Sequence, residues 1–245
     1  MGIHDSWARY YDKAYDLQVG FGEMYTKLTN NALEAIISRV KKGGKILDMG
    51  AGTGRLSIPL AEKGYQVTAV EISKEMCAVL KEKAKKAGVK IQIVNKDMTA
   101  DLKFEVEDGT YDFVVCVFTV LNYLTEPKQM QGFIHNAGHA LRLGGKAMIS
   151  FVEKMKPMQD FYNGRIKEGR DVDDCIKRNI LIQAQEPPNL FIYAEQTDGV
   201  IDGKKISYRD SFPLREWNRK EVVEGLDISK EFSGTGETYF LIERK

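Results

Sequence analysis

Ile46-Leu47-Asp48-Met49-Gly50-Ala51-Gly52-Thr53-Gly54 is an apolar run that ends in a loop with glycine at every second position, and Val67-Thr68-Ala69-Val70-Glu71 is a second apolar run that ends in a carboxylate. Leu56, Ile58, Leu60 and Ala61 follow the loop with helical spacing. Strand, glycine turn and helix open an α/β nucleotide-binding unit. Glycines at the turn allow positive φ and let a ligand approach bare backbone. A carboxylate at the tip of the second strand accepts hydrogen bonds from both ribose hydroxyls of a nucleoside lying across the strand ends, each worth roughly 1.5–3 kcal/mol when charge-assisted. The loop reads G-x-G-x-G, and Arg55 stands where the dinucleotide fingerprint G-x-G-x-x-G needs its last glycine. That spacing argues for a nucleoside cofactor other than a pyridine dinucleotide.

Asp48 followed by Gly50, Gly52 and Gly54 resembles the first motif of the class I S-adenosylmethionine (SAM)-dependent methyltransferases, an acidic residue and then G-x-G-x-G. Two further stretches carry the resemblance. Lys90 to Met98 looks like the third strand and its acidic tip, where the family sets a carboxylate on the adenine amino group and a backbone amide on the ring; Asp97 and Met98 match those positions. Tyr111 to Phe118 looks like the fourth strand, whose end borders the reacting methyl group in this family. The resemblance covers residues 44 to 152 and implies SAM as cofactor, with S-adenosylhomocysteine as its product. The cofactor residues it implies are Asp48, Gly50, Ala51, Gly52, Gly54, Glu71, Ile72, Asp97, Met98, Phe118 and Tyr15.

The expected fold is a Rossmann-like, mostly parallel sheet of seven strands with helices on both faces, carrying a small antiparallel β insert before the last helix. One domain is expected over residues 1–245: an N-terminal helical lid (1–43), a cofactor core (44–152), a β insert (153–212), and a last helix with the closing hairpin (213–245). Helices are expected over Asp5–Tyr15 and Glu23–Val40, joined by a loop containing Gly20 and Gly22, then over Lys74–Ala87, Pro127–Leu143, Met155–Ile166 and Pro213–Leu226. A short polar link, Thr99–Thr110, replaces a full helix before the fourth strand, and Lys146–Val152 reads as the fifth. Cys175–Ala184, Leu190–Thr197 and Lys204–Ser211 read as insert strands, with turns at Pro187-Pro188-Asn189 and Asp202-Gly203. Ile228–Phe232 and Thr238–Glu243 close the sheet, as in the family.

A chain of 245 residues with 43% hydrophobic content buries a sizeable core. Its longest apolar stretch, Phe113–Phe118, falls far short of the ~18–20 residues that span a bilayer, and no signal-peptide pattern opens the chain. Cys77, Cys116 and Cys175 are odd in number and lack metal-ligand spacing, so a cytoplasmic enzyme without a disulfide framework is expected. A net charge of +1 counts against duplex nucleic acid as the main partner. The run Lys81, Lys83, Lys85 and Lys86 reads as a solvated helix end. His135 and His139 stand at i and i+4, but no third ligand is apparent and the glutamate of a zincin motif is missing, so no metal is expected.

Methyl transfer from a sulfonium needs alignment of the acceptor's lone pair more than covalent catalysis, and positioning of that kind is worth roughly 7–11 kcal/mol. An amine acceptor still has to lose a proton. In Thr119–Leu124, just beyond the fourth strand, Tyr123 either orients an amine and relays its proton or packs under the next helix. The amino-sugar N-methyltransferases, which the chain resembles in its β insert, can carry a histidine at this place. Trp7–Asp16 resembles the tyrosine-bearing segment that small-molecule methyltransferases fold over the cofactor; Tyr11 and Tyr15 share a helical face there, as a lid or as a structural helix. Tyr11 and Tyr123 are the catalytic candidates. Phe191, Tyr193, Tyr208, Phe212 and Trp217, with Arg178 and Arg209 nearby, either roof a substrate pocket, pack on the sheet or form a dimer contact. Three functions follow: methylation of N or O on a small polar acceptor by a monomer or homodimer, methylation of RNA, or a non-catalytic SAM-binding module. The second lacks the Asn-Pro-Pro-Tyr type of sequence after the fourth strand.

Overall fold

The computed structural model describes residues 4–17, 21–163, 166–170, 175–224, 226–234 and 237–245. A 3-10 segment, Asp5–Tyr10, runs into α1 (Tyr11–Asp16), and α2 (Phe21–Ile37) follows. The core then alternates β1 (Lys45–Met49), α3 (Ser57–Glu62), β2 (Gln66–Glu71), α4 (Lys74–Ala87), β3 (Ile91–Asn95), β4 (Tyr111–Cys116), a 3-10 turn Val120–Tyr123, α5 (Pro127–Ala140) and β5 (Leu141–Phe151). After α6 (Met155–Tyr162) come β6 (Ile166–Arg170), β7 (Cys175–Ala184), β8 (Leu190–Ile201) and β9 (Lys204–Arg215); α7 (Arg219–Val223), β10 (Asp227–Gly234) and β11 (Glu237–Glu243) end the chain.

The main sheet has the order β10-β11-β5-β4-β1-β2-β3, parallel from β5 to β3 and closed by β11, which runs antiparallel to β5 and β10. Strand order reverses between β1 and β4, so the strand ends splay there and leave the crevice that α/β folds use for ligands. Both faces are covered, which the sequence of β4 requires. Phe113 and Val115 pack with Ile36 and Leu60 on one side, while Val114 and Cys116 pack with Met130 and Phe133 on the other. Ser73 caps α4 by accepting the Met76 amide at 3.0 Å, and Gly88 ends that helix at φ 70°.

Strands β6–β9 form a separate antiparallel sheet. The β8–β9 turn is the expected Asp202-Gly203, with φ 52° and 69°, the two positive values of a tight hairpin. Several boundaries differ from expectation: α2 stops at Ile37, α5 at Ala140 with β5 starting at Leu141, and β8 and β9 run on to Ile201 and Arg215. Pro213 opens no helix: it pairs with Ile192 inside β9, an edge strand that tolerates a missing N–H, and the last helix starts at Asn218, whose capping box with Glu221 fixes it. The helix from Met155 ends at Tyr162 because the Asn163 side chain pairs with the backbone of Ile182, at 2.6 and 2.8 Å. Ile166 is therefore strand, and β6 adds a strand that the pattern did not suggest. In the N-terminal segment, Gly22 lies within α2, and Gly20 lies outside the described residues. No helix among the described residues is long and apolar enough to cross a membrane.

Candidate functional site

A cavity of about 330 Å³ opens at the β1–β4 crevice, within the range of about 300–1,000 Å³ usual for small-molecule sites. Its floor is Gly50, Ala51 and Gly52; one wall carries Glu71, Ile72, Asp97 and Met98, and the far end carries Phe118, Tyr123, Tyr11 and His4. Ten of the sequence candidates meet there. Asp48, Gly54 and Tyr15 do not border the cavity.

Glu71 is held from beneath. Its Oε2 accepts the Gly52 amide and its Oε1 the Ser73 amide, both at 2.8 Å. Burial pushes the carboxyl up, and the two amides offset part of that. Each oxygen keeps a second lone pair, which suits a pair of neighbouring hydroxyls. At Gly52, with φ 54°, an added Cβ meets nothing within 4 Å, so the backbone is bare where a ligand would lie. Ile72, at the β2 tip, is 55% exposed although apolar, and with Met98 it offers two flanks for a flat ring. Asp97 lies at the same end and accepts the Thr99 amide at 2.8 Å through Oδ1. An acidic wall for a diol, an apolar slot and an open glycine floor fit adenosine as found in SAM.

Asp48 serves the loop from below. It is 5% exposed, accepts the Ser57 hydroxyl at 2.6 Å, and is pushed by burial to a pKa of about 6 despite that bond. Gly54 is a packing position, since a Cβ there would meet Leu80 Cδ1 at 2.2 Å. Tyr15 stands behind Tyr11 and Tyr25, ring centroids 4.8 and 4.5 Å away, and faces the Arg178 guanidinium at 4.6 Å.

The Phe118–Tyr123 end of the cavity rests on residues that the sequence did not single out. Phe118 and Thr119 hold φ of 68° and 67°, unfavourable for side chains of this kind. Buried Glu237 fixes that turn: it accepts the hydroxyls of Thr119 and Ser150, and Ser150 Oγ accepts the Phe118 amide at 3.1 Å. Asn122 secures the next residues through the Val152 backbone, at 2.9 Å in both directions, and the Arg215 carbonyl at 2.7 Å. Tyr123 thus projects from a doubly anchored turn, and burial raises its phenol well above the ordinary value. Arg55, the residue that breaks the dinucleotide spacing, lies between the Tyr25 and Phe118 rings, 3.5 and 4.0 Å from their centroids.

The N-terminal segment closes over this end through pairs on both neighbours. Asp12 accepts from Thr53 Oγ1 and Lys83 Nζ, each at 2.6 Å, and Asp5 accepts from Ser73 on the cofactor side. On the insert side, Trp7 donates to Asp210 and Lys13 pairs with Asp202. Lys83 therefore has a structural partner in a run read as solvated. Arg178 is buried, 1% exposed, in a two-pronged pair with Glu195 at 2.8 and 2.7 Å, and Tyr193 also donates to Glu195 at 2.8 Å. Phe191, Tyr208, Phe212 and Trp217 are buried in packing, with Trp217 Nε1 donating to the Leu121 carbonyl at 2.9 Å. The His135 and His139 rings lie 4.2 Å apart, and no cluster of three or more metal-ligating side chains occurs among the described residues.

A family model described as a methyltransferase domain matches residues 46–145. The chain is 36% identical over 250 aligned positions to a putative methyltransferase of Geobacillus sp. (strain WCH70), covering 92% of this chain and 98% of that one. It spans only 43% and 44% of the length of two other curated relatives that it matches. Among solved structures it is similar to a SAM-dependent methyltransferase from Clostridium acetobutylicum ATCC 824, with a TM-score of 0.75, 16% identity and 98% of each chain covered. It is also similar to SAM-bound CalS10, an amino pentose methyltransferase from Micromonospora echinaspora, with a TM-score of 0.72, 18% identity and 96% of each chain covered. With near-complete coverage of a relative above 30% identity, and a crevice shaped for adenosine, the chain belongs to the class I SAM-dependent methyltransferases.

Proposed function

We propose that the enzyme methylates a nitrogen or oxygen atom of a small polar molecule. The observation that carries this reading is the end of the cavity lined by Phe118, Tyr123, Tyr11 and His4. The N-terminal segment covers it with His4 and Tyr11, Tyr123 faces the same space, and Arg55 and Gln129 also line the cavity; the β insert packs behind, with the Phe212 ring against those of His4 and Tyr123. A roofed space of this kind favours a compact acceptor over a polymer strand. Similarity to an amino pentose methyltransferase points the same way, toward a hydroxylated amine. Three cysteines without disulfides, two of them buried, suit a reducing, cytoplasmic setting.

In this reading Glu71 takes the ribose hydroxyls, Gly50–Gly52 leave room for the nucleoside and methionine backbone, and Ile72, Asp97 and Met98 receive the adenine. Phe118 flanks the reacting end, with Asp48, Gly54 and Tyr15 supporting the site from behind. The bound cofactor supplies a methyl group already activated on a sulfonium. The chain's own part is to exclude water beneath Tyr11 and to fix the acceptor's lone pair in line through Tyr123. Burial keeps the Tyr123 phenol protonated at neutral pH, so it acts as a hydrogen-bonding group and not as a phenolate. The test is transfer from methyl-labelled SAM to amines, amino sugars, phenols and RNA, measured side by side. Turnover confined to small amines or hydroxyl compounds is expected; turnover confined to RNA would overturn the reading.

A further inference from the structure

His4 lies at the mouth of the chain, yet its ring is built into the roof of the cavity. Its backbone is left-handed, φ 69° and ψ 9°, a region that histidine enters more readily than most side chains. Nδ1 lies 3.3 Å from Asp210 Oδ2 and Nε2 lies 3.4 Å from Tyr123 Oη. The Phe212 and Trp7 rings meet it edge-on, at centroid distances of 5.3 and 5.1 Å, and fix its plane.

The direction of these bonds follows from chemistry. Burial works against charge on Asp210, but hydrogen bonds from His4 and Trp7 outweigh it and hold the carboxyl below its ordinary value. An ionised carboxylate only accepts, so Nδ1 must carry the ring proton. In the neutral ring Nε2 is then an acceptor, and the Tyr123 hydroxyl donates to it. A tyrosine that gives its proton to an imidazole keeps its oxygen lone pairs for a donor in the cavity. On this geometry, and resting on the proposed methylation of a small N or O acceptor, we infer that Asp210, His4 and Tyr123 form a relay that carries the acceptor's proton away from the reacting atom.

The balance is simple. As the acceptor's lone pair forms the new bond to the methyl carbon, the carbon–sulfur bond breaks and its electron pair stays on sulfur. The acceptor's proton passes to Tyr123 Oη while the phenol's own proton passes to His4 Nε2. The resulting imidazolium is paired with Asp210, a positioning residue. The 3.4 Å separation is at the long end of a hydrogen bond, as is usual before substrate draws such groups together. Other groups facing the ring are Tyr11 on α1, with its ring centroid 5.4 Å away, and Glu71 at the β2 tip, whose charge interacts with His4.

Two measurements test the relay. In ¹⁵N-histidine-labelled protein at a pH where the ring is neutral, the His4 signals, identified by their loss in His4→Gln, should show the Nδ1–H tautomer. They should shift in both Asp210→Asn and Tyr123→Phe. An Nε2–H tautomer in the unsubstituted protein, or His4 signals indifferent to both substitutions, overturns the relay whatever the acceptor proves to be. With an acceptor found in the labelled panel, His4→Gln should lower kcat by about 10²-fold or more, at nearly unchanged KM and SAM affinity. Free imidazole should restore part of kcat in His4→Gly. Unchanged kcat overturns the relay, and so does a loss of SAM affinity in step with kcat that imidazole does not restore, since that marks a purely structural role. Absence of small-molecule turnover with RNA turnover in the unsubstituted enzyme would instead sink the proposed methylation while leaving the tautomer result standing.

Discussion

Glu71→Ala is the substitution that most sharply separates binding from folding. The carboxylate holds the Gly52 and Ser73 amides at 2.8 Å and faces the cavity, so its removal releases the glycine floor as well as the proposed ribose contacts. Two charge-assisted bonds at ~1.5–3 kcal/mol each amount to roughly 3–6 kcal/mol, or at least about 10²-fold in SAM affinity at ~1.4 kcal/mol per decade. Glutamine is not a mild replacement: its carbonyl oxygen can satisfy one amide, but its NH₂ then confronts the other N–H. Glu71→Gln should therefore also bind weakly, though less so than a full truncation. The fold should survive both changes, because burial already disfavours the native charge. Calorimetric titration with SAM and S-adenosylhomocysteine, paired with thermal melts of the apo proteins, reads the two effects separately. Native affinity in Glu71→Ala, in a protein that melts as the parent does, would refute the assignment of this wall to the ribose.

Asp48→Asn should stabilise the fold while leaving SAM affinity nearly intact. Raising the carboxyl from 3.8 to about 6 makes its ionised form cost about 3 kcal/mol at neutral pH. The aspartate's stability is full below its unfolded value and is lost as pH rises to about 6, so the advantage of asparagine should be absent near pH 3.8 and reach its plateau above about pH 6. Urea melts across that range check it, and a pH-independent difference would contradict it. Gly52→Ala and Gly54→Ala should diverge. The first projects a methyl into open cavity and should weaken SAM binding with a stability cost of ~1–2 kcal/mol for left-handed backbone, while the second drives Cβ into Leu80 and should cost more stability than the first. Equal melting temperatures for the two would be inconsistent with this loop. Asp12→Ala, which frees both Thr53 and Lys83 from the N-terminal segment, should speed proteolysis of that segment, and bound SAM should protect it less than in the parent.

The grouping of Glu71, Ile72, Asp97 and Met98 along one cavity wall was legible because its chemistry is local. Glycine spacing, a carboxylate at each strand tip and alternating apolar runs are written within a few residues of one another, and the strands delivered them to one crevice. Asp48 and Gly54 belong to the same motif, yet one supports the loop from below and the other packs against Leu80, a distinction set by α3 and α4 above them. Pro213 reads equally well as a helix start or an edge-strand residue, and only its pairing with Ile192 decides. The reacting end was least legible. Glu237 reaches Thr119 across 118 positions, and His4 meets Asp210 across 206, so no local pattern links them. An isolated histidine at position 4 carries no signal until the β insert brings Asp210 to it.

The decisive measurement is a crystal structure with S-adenosylhomocysteine bound. Both ribose hydroxyls should lie within hydrogen-bonding distance of Glu71, the adenine between Ile72 and Met98 with its amino group toward Asp97, and the sulfur on the side of Phe118 and Tyr123. A nucleoside seated elsewhere on the molecule, or a Glu71 carboxylate that faces no hydroxyl, would contradict it.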